Sequence, residues 1–136
     1  MKATLRRYPT LPVIPRKALE DFEWEGFLIP AGTMIVVSPI VTHHTPEWWA
    51  DPYTFDPLRY SPERAEDARH THSWIPFGGG VHMCLGLRFA ESQIRAVMHQ
   101  PLLRYRFSVD EGYEMPVPQA PISKPKDGLP IRVESV

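Results

Sequence analysis

Sixteen prolines are spread along this 136-residue chain, and no other feature limits its fold as much. Proline has no backbone N–H and fixes φ at about −65°, so it interrupts helix interiors and central strands alike. Many of these prolines break up otherwise apolar stretches, which predicts long loops and few long helices. The expected class is mixed α/β with long proline-rich loops. The chain is still long enough for one modest domain with a core. A net charge of −1 gives no reason to expect nucleic acid or an acidic membrane surface as partner. The single cysteine excludes an internal disulfide and a CxxC zinc site, and leaves the redox compartment open. No apolar run approaches the length of a membrane span, and Met1-Lys2-Ala3-Thr4-Leu5-Arg6-Arg7 is no signal peptide.

Local patterns place the elements. Residues 1–8 read as the end of a helix closed by Pro9, with Pro12 and Pro15 holding the next stretch extended. Phe22 and Trp24 alternate with acids, Glu25-Gly26 makes a tight turn, and Phe27 and Ile29 continue the alternation. A second turn at Pro30-Ala31-Gly32 leads into the β-branched run 33–37. Residues 38–50 are expected to hold a short helix around Pro46-Glu47-Trp48-Trp49, followed by a proline- and charge-rich meander over 51–74. The one long helix runs from about Leu85 to Gln100, with Leu87, Ala90, Ile94, Val97 and Met98 on a face expected to be core. Arg88, Glu91 and Arg95 can pair on the opposite face, and Pro101 is expected to end or kink the helix. Beyond Tyr105 short apolar runs suggest small hairpins, with residues 128–134 as an edge strand.

The ten residues Phe77-Gly-Gly-Gly-Val-His-Met-Cys-Leu-Gly86 carry the chemistry. They set Cys84 at the mouth of the long helix, after a glycine-rich turn and two positions beyond His82. Glycines at Gly78 and Gly80 let a loop double back, and a helix start offers free N–H groups and a positive dipole end that favour a thiolate. Thiolate sulfur suits iron in a haem. The bland alternative is a small buried apolar residue.

Phe77, Gly80, His82, Cys84 and Gly86 fill every specified position of Phe-x-x-Gly-x-(Arg or His)-x-Cys-x-Gly, the ligand loop of the cytochrome P-450 haem-thiolate monooxygenases. A chance match in a chain of this length is on the order of one in ten thousand. Phe55-Asp56-Pro57-Leu58-Arg59-Tyr60 is similar to that family's Phe-x-Pro-x-Arg-aromatic element, and Thr4-Leu5-Arg6 resembles the end of its Glu-x-x-Arg motif. The resemblance implies the carboxyl-terminal, haem-binding part of such a protein over residues 1–136, from an architecture that is mainly α with small β-sheets. It implies haem b (iron protoporphyrin IX) with Cys84 as metal ligand. Phe77 would shield the sulfur, Gly78 and Gly80 would shape the turn, and Gly86 would admit the porphyrin. His82 and Arg16 would meet haem propionates. The implied reaction inserts one oxygen atom of O2 into a small lipophilic substrate, with electrons from a ferredoxin or flavoprotein reductase. Arg64, Arg69, Arg88 and Arg95 are a candidate docking patch for that donor, or simply a solvated face. The segments near Pro12-Val13-Ile14 and from Gln119 to Pro125 would line part of the substrate pocket.

Several departures qualify this. In relatives the motif Glu, the motif Arg and the meander Arg form a buried charged triad. Here Ala3 stands at the Glu position, with Arg6 and Arg59 at the other two. Two guanidinium groups without their carboxylate repel, so one arginine is expected to swing out to solvent, and Ala3→Glu to raise stability or haem retention. The family's long central helix and its proton-delivery pair have no counterpart, so the chain alone is expected not to turn over. A haem- or redox-sensing module remains an alternative. So does a remnant that no longer binds haem and exposes apolar surface to hydrophobic dyes. Zinc at His43-His44 or His70-Thr71-His72 fits the usual ligand spacing poorly. Localisation is open: a soluble cytoplasmic protein is favoured in a bacterium, and any membrane anchor would lie upstream.

Overall fold

Helix α1, Lys2–Arg7, stops where Tyr8 leaves helical geometry at φ −134°, ψ 73°. Tyr8 precedes Pro9, whose ring pushes the residue before it out of the α region. The computed structural model describes residues 1–118 and 121–136. Strands β1 (Ile14–Lys17), β2 (Phe22–Trp24), β3 (Phe27–Ile29) and β4 (Met34–Val37) follow. β2 and β3 form a hairpin with Trp24 opposite Phe27. Its turn residues Glu25 and Gly26 take φ +49° and +81°, the doubly left-handed geometry that matches the twist of the flanking strands. β4 turns back to pair antiparallel with β1, Ile14 opposite Val37.

Helix α2 spans Pro39–Thr42, earlier than the sequence suggests. Ser38 caps it by accepting the Val41 N–H, and Pro39 occupies its first turn, where a missing donor costs nothing. The expected helix at Pro46–Trp49 is only a turn, closed by the Trp48 and Trp49 N–H groups on the Thr45 carbonyl. Single 3₁₀ turns at Pro57–Tyr60, Glu66–Ala68 and Gly80–His82 punctuate the following stretch.

Helix α3, Leu87–Arg104, runs through Pro101 instead of ending there. Proline so near a C-terminus removes one intrahelical bond, and its carbonyl still accepts the Tyr105 N–H that closes the helix. The chain then enters β5 (Tyr105–Ser108), which pairs with β6 (Arg132–Ser135). The apolar stripe on α3 is not core: no α3 residue is buried, and Val97 is 63% exposed. Periodicity marks an apolar face, but among the described residues no other layer covers it.

The buried centre lies elsewhere, where α1 meets the segment from Pro39 to Ile75. Its largest fully buried side chains are Trp49, Arg6, Arg59, His43 and Glu66, a notably polar set. The reason is the irregular backbone. Chain without helix or sheet leaves carbonyls unpaired, and buried carbonyls need donors. A guanidinium carries five N–H donors in a fixed fork. Arg6 donates to the carbonyls of His43, Pro52 and Thr54, and Arg59 to those of Ala50, Asp51 and Thr54. Two arginines thus do for the meander what a sheet ladder does elsewhere. Trp49 packs against the Arg6 guanidinium at 5.1 Å and donates its Nε1–H to the Ser73 carbonyl.

Candidate functional site

A cleft of about 810 Å³ lies between β1 and the glycine loop. Arg16, Phe77, Gly78, His82 and Cys84 line it together with Ile14. Five of the seven residues singled out for cofactor binding therefore converge on one opening. Gly80 sits on the neighbouring surface of the same loop, beside Gly78, and Gly86 caps the start of α3. Cys84 is a free, exposed thiol.

The loop owes its shape to short hydrogen bonds and two left-handed glycines. The Gly78 N–H donates to the Ile75 carbonyl at 3.0 Å, and the Met83 N–H to Gly80 at 3.1 Å. The Cys84 N–H then returns to the Phe77 carbonyl at 3.0 Å, closing the loop at the cysteine. Gly78 and Gly80 take φ +74° and +68°. A Cβ at Gly80 would meet nothing within 4 Å, so Gly80→Ala should cost only backbone strain, about 1–2 kcal/mol. Gly86 has an ordinary φ of −78°, and a Cβ there would rest 3.7 Å from Cys84 Sγ, normal contact. Gly86→Ala should accordingly leave the thermal midpoint of the haem-free chain almost unchanged while Gly80→Ala lowers it by several degrees; equal shifts would contradict this account. Gly79, which the motif does not specify, is the tighter position: a Cβ there would sit 3.3 Å from His72 Cδ2.

Phe77 stacks edge-on against Trp74 at 6.3 Å. Arg16 is exposed on the cleft rim, donates to the Pro15 carbonyl, and makes no ion pair among the described residues. The second expected pocket segment approaches the first through the Ser123 N–H on the Thr10 carbonyl at 3.1 Å. Gln119, where that segment was expected to begin, lies outside the described residues.

The expectation that one arginine turns to solvent is overturned. Arg6 and Arg59 are 1% and 2% exposed. Arg6 is satisfied by carbonyls alone, whereas Arg59 finds a carboxylate that the sequence pattern did not suggest: Nη1 lies 2.8 Å from Glu66 Oε2. Glu66 is itself 2% exposed, and its other oxygen accepts from Arg64 at 2.6 Å. Burial works to raise the Glu66 pKa, but the hydrogen bonds from Arg64 and Arg59 hold it below the usual carboxylate range. Two of the four arginines considered for a docking patch are drawn into this cluster, Arg64 also to Asp56 and Arg69 at 3.7 Å from Glu66. Arg88 pairs with Glu91 at 3.2 Å, as the helix spacing suggests.

His43 is the residue that sequence reasoning missed. Beside His44 it reads as half of a weak metal pair, yet it is fully buried, and among the described residues no group of three metal-binding side chains converges. Its pKa is pushed down to about 4, chiefly by burial, with Arg6 and His44 adding to the effect.

The cleft thus presents an exposed thiol from a mainly apolar wall that also carries Arg16, Lys17 and His82. The sequence pattern of the cytochrome P-450 family matches residues 1–132. The chain is 40% identical over 109 residues to the sterol 14alpha-demethylase of Mycolicibacterium vanbaalenii, covering 80% of this chain and 24% of that protein. It is 36% identical over 139 aligned positions to cytochrome P-450 6a2 of Drosophila melanogaster, covering 98% and 27%. The fold superposes on the retinoic acid-bound cyanobacterial CYP120A1 with a TM-score of 0.90 at 27% identity, over 99% of this chain and 31% of that one. The chain belongs to the cytochrome P-450 family. It spans about a quarter of the length of the curated relatives it matches. Among the described residues no helix is long and apolar enough to cross a membrane.

Proposed function

We propose that this chain is the haem-binding, carboxyl-terminal part of a cytochrome P-450 monooxygenase acting on a small lipophilic substrate. The observation that carries the reading is the convergence of Cys84, His82, Phe77, Gly78 and Arg16 on one cleft. Its volume of about 810 Å³ suits a cofactor, since cofactor pockets are mostly apolar and span about 300–1,000 Å³. The donor set suits haem: a soft sulfur for iron, and two side chains with nitrogen donors for carboxylates. Cys84 would hold the iron, while His82 and Arg16 would hold the propionates. When bound, the haem supplies the redox chemistry of oxygen activation, tuned by its anionic sulfur ligand.

The chain's own residues would orient and shield. The hydrogen bond from the Cys84 N–H to the Phe77 carbonyl would hold the backbone that bears the sulfur before any cofactor arrives. Phe77, half-buried against Trp74, would keep water from the sulfur side. The electron donor, a ferredoxin or flavoprotein reductase, would come to the face carrying Arg88 and Arg95, since Arg64 and Arg69 are turned onto Glu66.

The test is the reduced, carbon-monoxide difference spectrum of the purified chain reconstituted with haemin, beside Cys84→Ala. A red-shifted Soret band that disappears in Cys84→Ala is expected. A band at the ordinary haemoprotein position in both, or no stoichiometric haem, would refute the assignment and favour a remnant that has lost the cofactor.

A further inference from the structure

Both ring nitrogens of the buried His43 reach segments far away in sequence. The Ile75 N–H donates to Nε2 at 2.8 Å, and Nδ1 lies 3.1 Å from the Arg6 carbonyl. A backbone N–H can only donate and a carbonyl can only accept. The ring is therefore neutral, with its proton on Nδ1. Arg6 returns the contact by donating from its guanidinium to the His43 carbonyl, so α1 and the His43 segment clasp each other in both directions.

The other side of the ring leads to the cysteine. Ile75 is buried, and Pro76 after it has no N–H, so the Ile75 amide is the donor by which this step of the chain is held. The Ile75 carbonyl takes the Gly78 N–H, and the Phe77 carbonyl takes the Cys84 N–H. From the imidazole to the residue bearing the sulfur there is a continuous series of short contacts.

We infer that His43 is the positioning residue of the cysteine loop: its neutral imidazole ties the loop's entry to α1 and thereby sets where Cys84 presents its sulfur. The inference deepens the proposed haem site, and rests on it for the role of Cys84. A histidine that merely filled space would need neither nitrogen. This one uses both, as an acceptor toward the loop and a donor toward the scaffold, a pairing that no aliphatic or phenyl side chain supplies.

Two substitutions separate the nitrogens. Glutamine carries its carbonyl oxygen near the place of Nε2, and asparagine near that of Nδ1. Amide hydrogen exchange in the purified chain is the measurement. In His43→Asn the Ile75 and Cys84 amides are expected to exchange about tenfold faster, the loss of one buried hydrogen bond, while amides of the β5–β6 pair keep their rates. In His43→Gln, which keeps the acceptor toward Ile75 but not the donor toward Arg6, the Ile75 amide should remain close to the parent and the Cys84 amide should exchange faster, by less than in His43→Asn. Equal acceleration in both variants, acceleration everywhere at once, or no change in either would overturn the inference. If His43→Asn does not fold, the ring ¹⁵N shifts of the unsubstituted chain decide: a proton on Nδ1 is expected, and a proton on Nε2 would refute the link to Ile75. The exchange experiment needs no haem. Absence of a thiolate-type spectrum would therefore sink the haem assignment while leaving the role of His43 to be decided by the amides alone.

Discussion

Glu66→Gln is expected to lower the thermal midpoint of this chain by about 10–20 °C. Breaking a buried ion pair by removing one charge costs about 3–5 kcal/mol, and in a chain of this size each kcal/mol moves the midpoint by roughly 3–5 °C. Glu66 is placed to show the full effect. It and Arg59 are each 2% exposed and 2.8 Å apart, and Arg64 fills the second oxygen. Glutamine keeps the shape but loses the charge and turns an N–H group toward a guanidinium. Arg64→Ala should do much less, below about 1 kcal/mol, because Arg64 is 39% exposed and water screens its pairs. The cluster also revises what Ala3→Glu should do. With Arg59 already neutralised, a glutamate at position 3 has little to add in the parent chain, and should stabilise the Glu66→Gln chain more. A thermal-melt double-mutant cycle checks this; identical gains in both backgrounds would mean that the two positions do not share a charge cluster.

Acid should unfold the chain earlier than its carboxylates alone predict. Burial holds His43 neutral with its pKa down at about 4, against 6.5 in the unfolded chain. Between those values the unfolded chain binds the extra proton and the folded one does not, so stability rises with pH across that window. The contribution is complete above about pH 6.5 and is lost progressively as pH falls toward 4, amounting to about 3 kcal/mol. His44, whose pKa is also lowered by burial, acts in the same direction. Glu66 adds a further loss at lower pH, as its depressed carboxyl takes a proton. Denaturant midpoints at pH 7, 5.5 and 4.5 should fall steadily in the parent, and less in His43→Gln, which has no ring to protonate. A parent curve flat between pH 6.5 and 4.5 would show that His43 is not held neutral by burial.

What could be read from the sequence was local. The cysteine loop, the Glu25-Gly26 turn and the start of α3 depend on residues within a few positions of one another, and spacing alone identified them. Glu66 was hidden because nothing nearby marks it: it lies among the charges of 63–69, and only an arginine seven positions earlier, folded back on it, makes it a core residue. The alanine at position 3 then argued for an exposed arginine, since the replacement carboxylate was out of view. His43 was hidden for the same reason, its partners being 37 and 32 residues away. The stripe on α3 shows a different limit: helical periodicity says which side is apolar, and not what lies against it. Pro101 was overread, because proline forbids one hydrogen bond and not the final turn of a helix.

The way the meander is held has a consequence for the order in which the chain assembles. Arg6 bonds to carbonyls 37, 46 and 48 residues further on. Closing such long loops must precede any gain from the contacts they permit, which makes them slow steps. During synthesis α1 emerges before the meander, and its arginine stays solvated until the chain through Thr54 is available to surround it. The cysteine loop, fastened to His43 and following all of this in sequence, is then laid onto a scaffold that has already condensed. Changes at Arg6 or Arg59 should therefore appear first as slower refolding, before any defect shows at the cleft itself.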